Sequence, residues 1–203
     1  LNIMDKYIDK FVITEASYMH SGKPKKLVFD INKFSKFKDK IIYNVVDKQP
    51  SNIASVNEND DYDTKGEKLI NNSSKREHYQ RDMAQKSLNE AEPDDLILIN
   101  DVDEIPNLKD INLKKIKKKI IIFKQREFFY KFNLLYEGMS WYGSRACRKK
   151  DFISPQWLRD TKHKKYPVWR LDIILSNTKY SSIHYIENGG WHFTNIKSPE
   201  EIE

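Results

Sequence analysis

Four apolar residues run straight into three carboxylates in Leu96-Ile97-Leu98-Ile99-Asn100-Asp101-Val102-Asp103-Glu104, and Pro106 closes the stretch. A short apolar run that follows a turn, here Pro93-Asp94-Asp95, predicts a strand buried on both faces, as in a parallel sheet. The proline ends it, because it cannot donate to a ladder. Carboxylates this close repel one another and raise each other's pKa unless a positive group sits among them. A hard divalent cation, which takes oxygen ligands, is the economical partner. Ligands of open α/β sheets bind outside the carboxyl ends of strands, which is where this pattern puts Asp101 and Asp103. The competing reading is a solvated acidic turn, since short motifs also arise by chance.

The rest of the chain supplies strands and helices in alternation. Residues 1–9 read as the end of a helix. Phe11-Val12-Ile13 reads as a short strand ending at Thr14-Glu15-Ala16, followed by a loop punctuated by Gly22 and Pro24. Glu15 can accept hydrogen bonds from a ribose or base, or pair with a nearby lysine. His20, Lys23 and Lys25 can approach phosphates or remain on the surface. Leu27–Phe29 and Lys40–Val46 are further strand candidates, and residues 47–68 read as a long polar loop. Ser74-x-x-Glu77 has the form of a capping box, predicting a helix to about Ala91 that carries Arg81. Leu108–Lys119 predicts an amphipathic helix with a lysine-rich wet face, and Ile120–Phe123 another buried strand. The aromatic residues Trp141, Tyr142, Trp157, Tyr166, Trp169 and Tyr185 suit either a core or platforms for sugar rings. His192, in Gly189-Gly190-Trp191-His192-Phe193, suits either a satisfied core histidine or a ligand. Ser198 and Pro199 have the form of a helix start.

A chain of 203 residues suits one domain with a sizeable core. Its net charge of +6 comes from lysine far more than arginine, which fits a solvated basic surface better than a nucleic-acid site. No apolar run approaches the roughly 20 residues of a membrane span. Cys147 is the lone cysteine, so no internal disulfide can form. The start at Leu1 leads us to expect a chain cut at both ends, cytoplasmic if the preceding residues carry no signal or anchor.

Four segments, in order, resemble glycosyltransferase family 17, the family of the β-1,4-mannosyl-glycoprotein β-1,4-N-acetylglucosaminyltransferase. They are Phe11–Ala16 with Ser21–Lys25, Gln80-Arg81, Asp94–Pro106, and Gly189–Phe193. The resemblance implies an α/β, GT-A-like (Rossmann-like) single domain over 1–203, with a central, mostly parallel sheet flanked by helices. Residues 1–125 would bind the nucleotide-sugar and 126–203 would face the acceptor. It implies Mn²⁺ or Mg²⁺, a UDP-GlcNAc donor and a glycan or glycoconjugate acceptor. On that footing Asp103 binds the metal directly, Asp101 binds it through water or holds the ribose, and His192 completes the coordination or touches the diphosphate. Glu15, Lys25 and Arg81 serve the nucleotide, unless Arg81 is instead a structural partner of the acidic turn, and Glu104, Asp172 and Glu187 are candidates for the general base. The other readings are a metal-dependent nuclease or phosphodiesterase and a catalytically inactive sugar- or nucleotide-binding module.

Overall fold

The computed structural model describes residues 1–198 and residue 201. The helix start at Ser198–Pro199 lies, from Pro199 on, outside the described residues. The chain divides into two compact units, Leu1–Glu90 and Ala91–Glu203.

In the first unit two strands, β1 (Phe11–Ala16) and β2 (Ile41–Val46), pair in parallel with Phe11 opposite Ile41 and Ala16 opposite Val46. Helix α1 spans Tyr62–Asp82 and continues as a 3-10 turn, Met83–Ser87. Ala16, Tyr18 and Val46 form the buried cluster that Tyr79 and Met83 cover. Polar side chains tie the helix to the strands. Gln80 donates to the Thr14 carbonyl at 3.1 Å, and Asn44 donates to Ser87 Oγ at 2.6 Å. The helix begins twelve residues before the Ser74 box, because Asp61 is a stronger cap: its carboxylate accepts from both the Thr64 amide and hydroxyl. Ser74 and Glu77 lie inside α1, and the segment read as a loop over 47–68 contains its first turns. Residues 1–9 hold a single 3-10 turn, Asp5–Tyr7.

The second unit contains two four-stranded mixed sheets. The first has the order β3 (Leu96–Ile99), β8 (Arg145–Arg148), β5 (Ile120–Phe123), β9 (Ile183–Ile186). β8 runs antiparallel to both β3 and β5, and only β5 and β9 are parallel. The second has the order β4 (Glu104–Pro106), β10 (Gly190–Thr194), β6 (Gln125–Phe129), β7 (Leu135–Trp141), with one parallel pair, β10 and β6. The chain is thus mixed α/β, and the expected single, mostly parallel sheet is replaced by a parallel pair and two mixed sheets. β3 is an edge strand with only Ile97 buried. The strand covered on both sides is β5, whose four residues are all enclosed. Ile120, Ile122, Cys147, Trp157, Leu158 and Ile183 form its core, against which Ile99, Tyr142, Phe152, Tyr180 and Tyr185 pack. Trp157, Tyr142 and Tyr185 are thus core aromatics, whereas Trp169 is exposed.

The helix expected over Leu108–Lys119 is reduced to one 3-10 turn, Leu113–Lys115. Asp110 takes a positive φ of 60°, which breaks a helix, and the crowded lysines would repel one another at i, i+3 and i, i+4 spacing. Of the apolar residues at helical spacing, Leu113 and Ile116 are half-buried and Ile120 is fully buried.

Candidate active site

The acidic motif is a turn that carries the chain from the edge of one sheet to the edge of the other. After β3 ends at Ile99, the Glu104 amide bonds back to the Asp101 carbonyl at 3.1 Å, and β4 starts at Glu104. Val102, at the apex, is fully exposed. β4 then pairs with β10, setting Glu104 opposite His192 and Pro106 opposite Gly190. The approach is so close that a Cβ on Gly190 would lie 2.1 Å from the Ile105 carbonyl oxygen, and its φ of +123° suits glycine alone.

Glu104 is the hub. Its side chain is 0 % exposed. Oε1 accepts from Arg159 Nη2 at 2.6 Å and from the Trp141 indole at 2.7 Å. Oε2 accepts from Ser144 Oγ at 3.1 Å, Arg159 Nη1 at 3.2 Å and the Asp101 amide at 3.2 Å. Gly143 makes room for this, since a Cβ there would stand 1.9 Å from Glu104 Oε1. Arg159 comes from helix α2 (Pro155–Asp160), capped by Ser154 through the Trp157 amide, and its Nη2 also binds Asp101 Oδ2 at 2.6 Å. Arg145, buried beside it, is brought down to about 10, first by burial and then by the Arg159 charge, with Glu104 among the carboxylates opposing the shift. The positive charge that three crowded carboxylates require is therefore supplied, for two of them, by arginine.

Asp103 is the third carboxylate and the one that faces outward, its side chain 44 % exposed. Its backbone carbonyl accepts from the Phe193 amide at 3.0 Å, which pins it beside β10. Its Oδ2 lies 3.5 Å from His192 Nε2. The His192 ring is 8 % exposed and stacks on Trp141 with 4.3 Å between centroids and 8° between planes. On the ring's other side Nδ1 faces Glu127 Oε1 at 3.5 Å and Thr194 Oγ1 at 3.3 Å. Among the described residues no three His, Cys, Asp or Glu side chains gather tightly enough to enclose a metal by themselves. An outward carboxylate oxygen nevertheless suits Mn²⁺ or Mg²⁺ held jointly with phosphate oxygens, since Mg²⁺-type ions are commonly bound through one or two carboxylates plus substrate, and the imidazole nitrogen beside it is a donor for a transition-metal ion rather than for Mg²⁺.

The remaining expected site residues are engaged elsewhere. Asp172 pairs with Arg170 at 2.8 Å and Lys179 at 2.7 Å, which hold its carboxyl at about 2. Glu187 forms an exposed pair with Lys124 at 3.1 Å. In the first unit Arg81 pairs with Glu77 one turn away at 2.7 Å. Glu15 accepts from Lys25 Nζ at 2.7 Å, from the Val28 and Phe29 amides at 2.8 and 3.0 Å, and from the Tyr43 hydroxyl at 2.9 Å. The pairing with lysine is therefore the arrangement present, and the strand expected at Leu27–Phe29 is instead a segment whose amides a side chain satisfies. Burial alone would raise the Glu15 pKa. Lys25, the two amides and Tyr43 outweigh it and hold the group at about 2.

Because that folded value lies below the ordinary 4.5, the stabilisation is complete above pH 4.5 and is lost as pH falls toward 2. Glu15→Gln is expected to lower stability by about 1–3 kcal/mol at pH 7. Urea denaturation at pH 7 and pH 3 should show the gap between variant and wild type narrowing; an equal gap at both would contradict the charge-based account.

Arg159, Arg145, Ser144 and Glu127 are not visible as site residues in the sequence, and Trp141, offered there as core or sugar platform, instead bonds Glu104 and stacks on His192. One signal pointed toward the arginines: in a chain that uses lysine almost everywhere, arginine marks places where a planar, forked donor is needed.

The family model for glycosyltransferase family 17 matches residues 1–163. That span contains the acidic turn, Trp141, Ser144, Arg145 and Arg159, and ends before β10 and His192. Neither a curated protein nor a solved structure matches the chain. With four-fifths of its length matched by one model, the chain belongs to glycosyltransferase family 17, whose members transfer sugars from a donor to an acceptor.

Proposed function

We propose that the protein is a metal-dependent, inverting glycosyltransferase of GT-A-like design that moves GlcNAc from UDP-GlcNAc to a hydroxyl of a glycan acceptor. The observation that carries this reading is the division of labour in the acidic turn. Two carboxylates, Asp101 and Glu104, are committed to Arg159, and the third, Asp103, is turned outward beside His192. A merely solvated acidic turn has no need of a half-buried arginine, an indole and a serine hydroxyl to set its shape.

In this reading Asp103 and His192 hold Mn²⁺ or Mg²⁺ against the donor diphosphate. When bound, the cation offsets negative charge that gathers on the departing UDP. Glu104 keeps the turn rigid, and Asp101, fixed through Oδ2, sets its entry. The sugar carbon passes through an oxocarbenium-like state, and inversion requires a base at the acceptor hydroxyl. Glu104 has its lone pairs occupied, and Asp172 is too acidic to take a proton efficiently near neutral pH. Glu187, exposed and held by one lysine next to the start of β10, is the remaining carboxylate of the three and is assigned the role.

A thermal-shift panel of UDP, GDP and CMP, each with and without Mn²⁺, tests the donor. UDP with Mn²⁺ is expected to stabilise the protein by about 2–3 kcal/mol at 100 times its dissociation constant, and UDP alone by much less. Equal stabilisation by all three nucleotides, or none by UDP with metal, would remove the donor assignment.

A further inference from the structure

Glu127 is a buried carboxylate that the mechanism above leaves unused. It lies on β6 opposite His192 on β10. The pairing of β6 with β7 breaks between Arg126 and Glu127, where the opposing residue jumps from Ser140 to Tyr136. Such bulges re-aim a side chain. Here the result is a side chain 4 % exposed, with Oε1 3.5 Å from His192 Nδ1 and Oε2 without any hydrogen-bond partner. Leaving a buried carboxylate oxygen unpaired costs stability, and an apolar residue would fill the place more cheaply. A residue retained at that cost, on a strand irregularity that points it at one imidazole nitrogen, calls for a reason other than packing.

We infer that Glu127 is a positioning residue that keeps the proton of the His192 ring on Nδ1, so that the Nε2 lone pair faces Asp103. Both ring nitrogens have a carboxylate at the same 3.5 Å separation, so distance does not decide between them. Surroundings do. Asp103 is 44 % exposed and Glu127 only 4 %, and the attraction of a carboxylate for a ring N–H is weakened far more in the wetter setting. An ionised carboxylate can only accept, whereas Thr194 Oγ1, the other neighbour of Nδ1, can accept or donate and adapts to either tautomer. Trp141, stacked on the ring, holds its plane, so that the half-turn about Cβ–Cγ that would take Nδ1 away from Glu127 and Nε2 away from Asp103 requires unstacking. The purpose of the arrangement rests on the proposed metal-dependent transfer: an imidazole that ligates a cation commonly gives its other N–H to a carboxylate, which orients the ring and makes it a better ligand.

The tautomer can be read without any metal. In protein carrying ¹⁵N-labelled histidine, long-range ¹H–¹⁵N correlation of the metal-free wild type is expected to show His192 protonated on Nδ1 only. In Glu127→Leu the proton should move to Nε2 or divide between the two nitrogens, and Mn²⁺ affinity measured by calorimetry in the presence of UDP should fall about 10–100-fold. The urea midpoint of Glu127→Leu should match or exceed that of the wild type, the opposite of what a structural role requires. Glu127→Gln, which keeps one acceptor oxygen and the side-chain volume, should fall between the two in tautomer and affinity and supplies the test if the leucine variant does not fold. A wild-type ring protonated on Nε2 or on both nitrogens, or a ring indifferent to both substitutions, would overturn the inference. A wild type that has the Nδ1 tautomer but takes up no Mn²⁺ with UDP would uphold the positioning role and refute the metal reading alone.

Discussion

Glu104→Ala is expected to destabilise the protein by about 3–5 kcal/mol, the loss typical when one partner of a buried ion pair is removed. The reason is what the substitution leaves behind. Arg159 loses both of its bonds to Glu104 and keeps Asp101, Trp141 and Ser144 lose their acceptor, and Arg145 loses one of the carboxylates that offset its burial. Against a total stability of roughly 5–15 kcal/mol for an ordinary domain, such a loss is visible in any denaturation curve. Glu104→Gln should cost less, since it preserves volume and an acceptor but gives up the charge. The double variant Glu104→Ala/Arg159→Ala should be less unstable than the two single losses added together, because the second substitution removes a charge that the first orphaned. Urea denaturation of the wild type, Glu104→Ala, Glu104→Gln, Arg159→Ala and the double variant, followed by tryptophan fluorescence, measures all of this. A loss below about 1 kcal/mol for Glu104→Ala would mean that the hub is replaceable by solvent, and the account of the acidic turn as a rigid part would have to be abandoned.

The elements of this chain were legible where their signal is local. β2 and β5 fall within a residue or so of the runs that announce them, β1 extends to the Glu15 and Ala16 read as its end, and the acidic turn does sit at the carboxyl end of β3. What failed depends on partners distant in sequence. Leu96–Ile99 has the composition of a central parallel strand, yet its neighbour is β8, some 50 residues away and antiparallel. Nothing within four apolar residues encodes that. Arg159 is likewise separated from Glu104 by 55 residues, so the sequence displays the excess of negative charge without its remedy. The first remedy to suggest itself is a cation among all three carboxylates; the structure supplies an arginine for two of them. The helix expected at Leu108–Lys119 shows the converse error, in which an apolar period was real but marked burial of a loop. His192 stands between two readings in the sequence; the structure buries its ring and places Nε2 3.5 Å from Asp103 Oδ2.

Asp103→Ala is expected to reduce sugar transfer at least about 100-fold, the scale of losing several kcal/mol of charge stabilisation on a leaving group. Its effect on stability should stay within about 0.5 kcal/mol, as for other exposed positions. The contrast with Glu104 follows from the geometry alone. Two neighbouring residues are divided into an enclosed carboxylate with every lone pair engaged and an outward one that lies 3.5 Å from His192. Since the Asp103 backbone, not its side chain, makes the bond to Phe193, alanine keeps the turn's attachment to β10. Asp103→Asn should fall nearer to alanine than to wild type, because it retains an oxygen but not the charge that draws in a cation. Donor turnover measured by UDP release, with Mn²⁺ raised well above the level that saturates the wild type, separates weakened affinity from lost chemistry: activity that returns with added metal marks Asp103 as a binding residue, and activity that does not marks it as part of the catalytic centre. Near-normal turnover of Asp103→Ala at ordinary metal concentration would leave the outward carboxylate without a function and return the motif to a solvated turn.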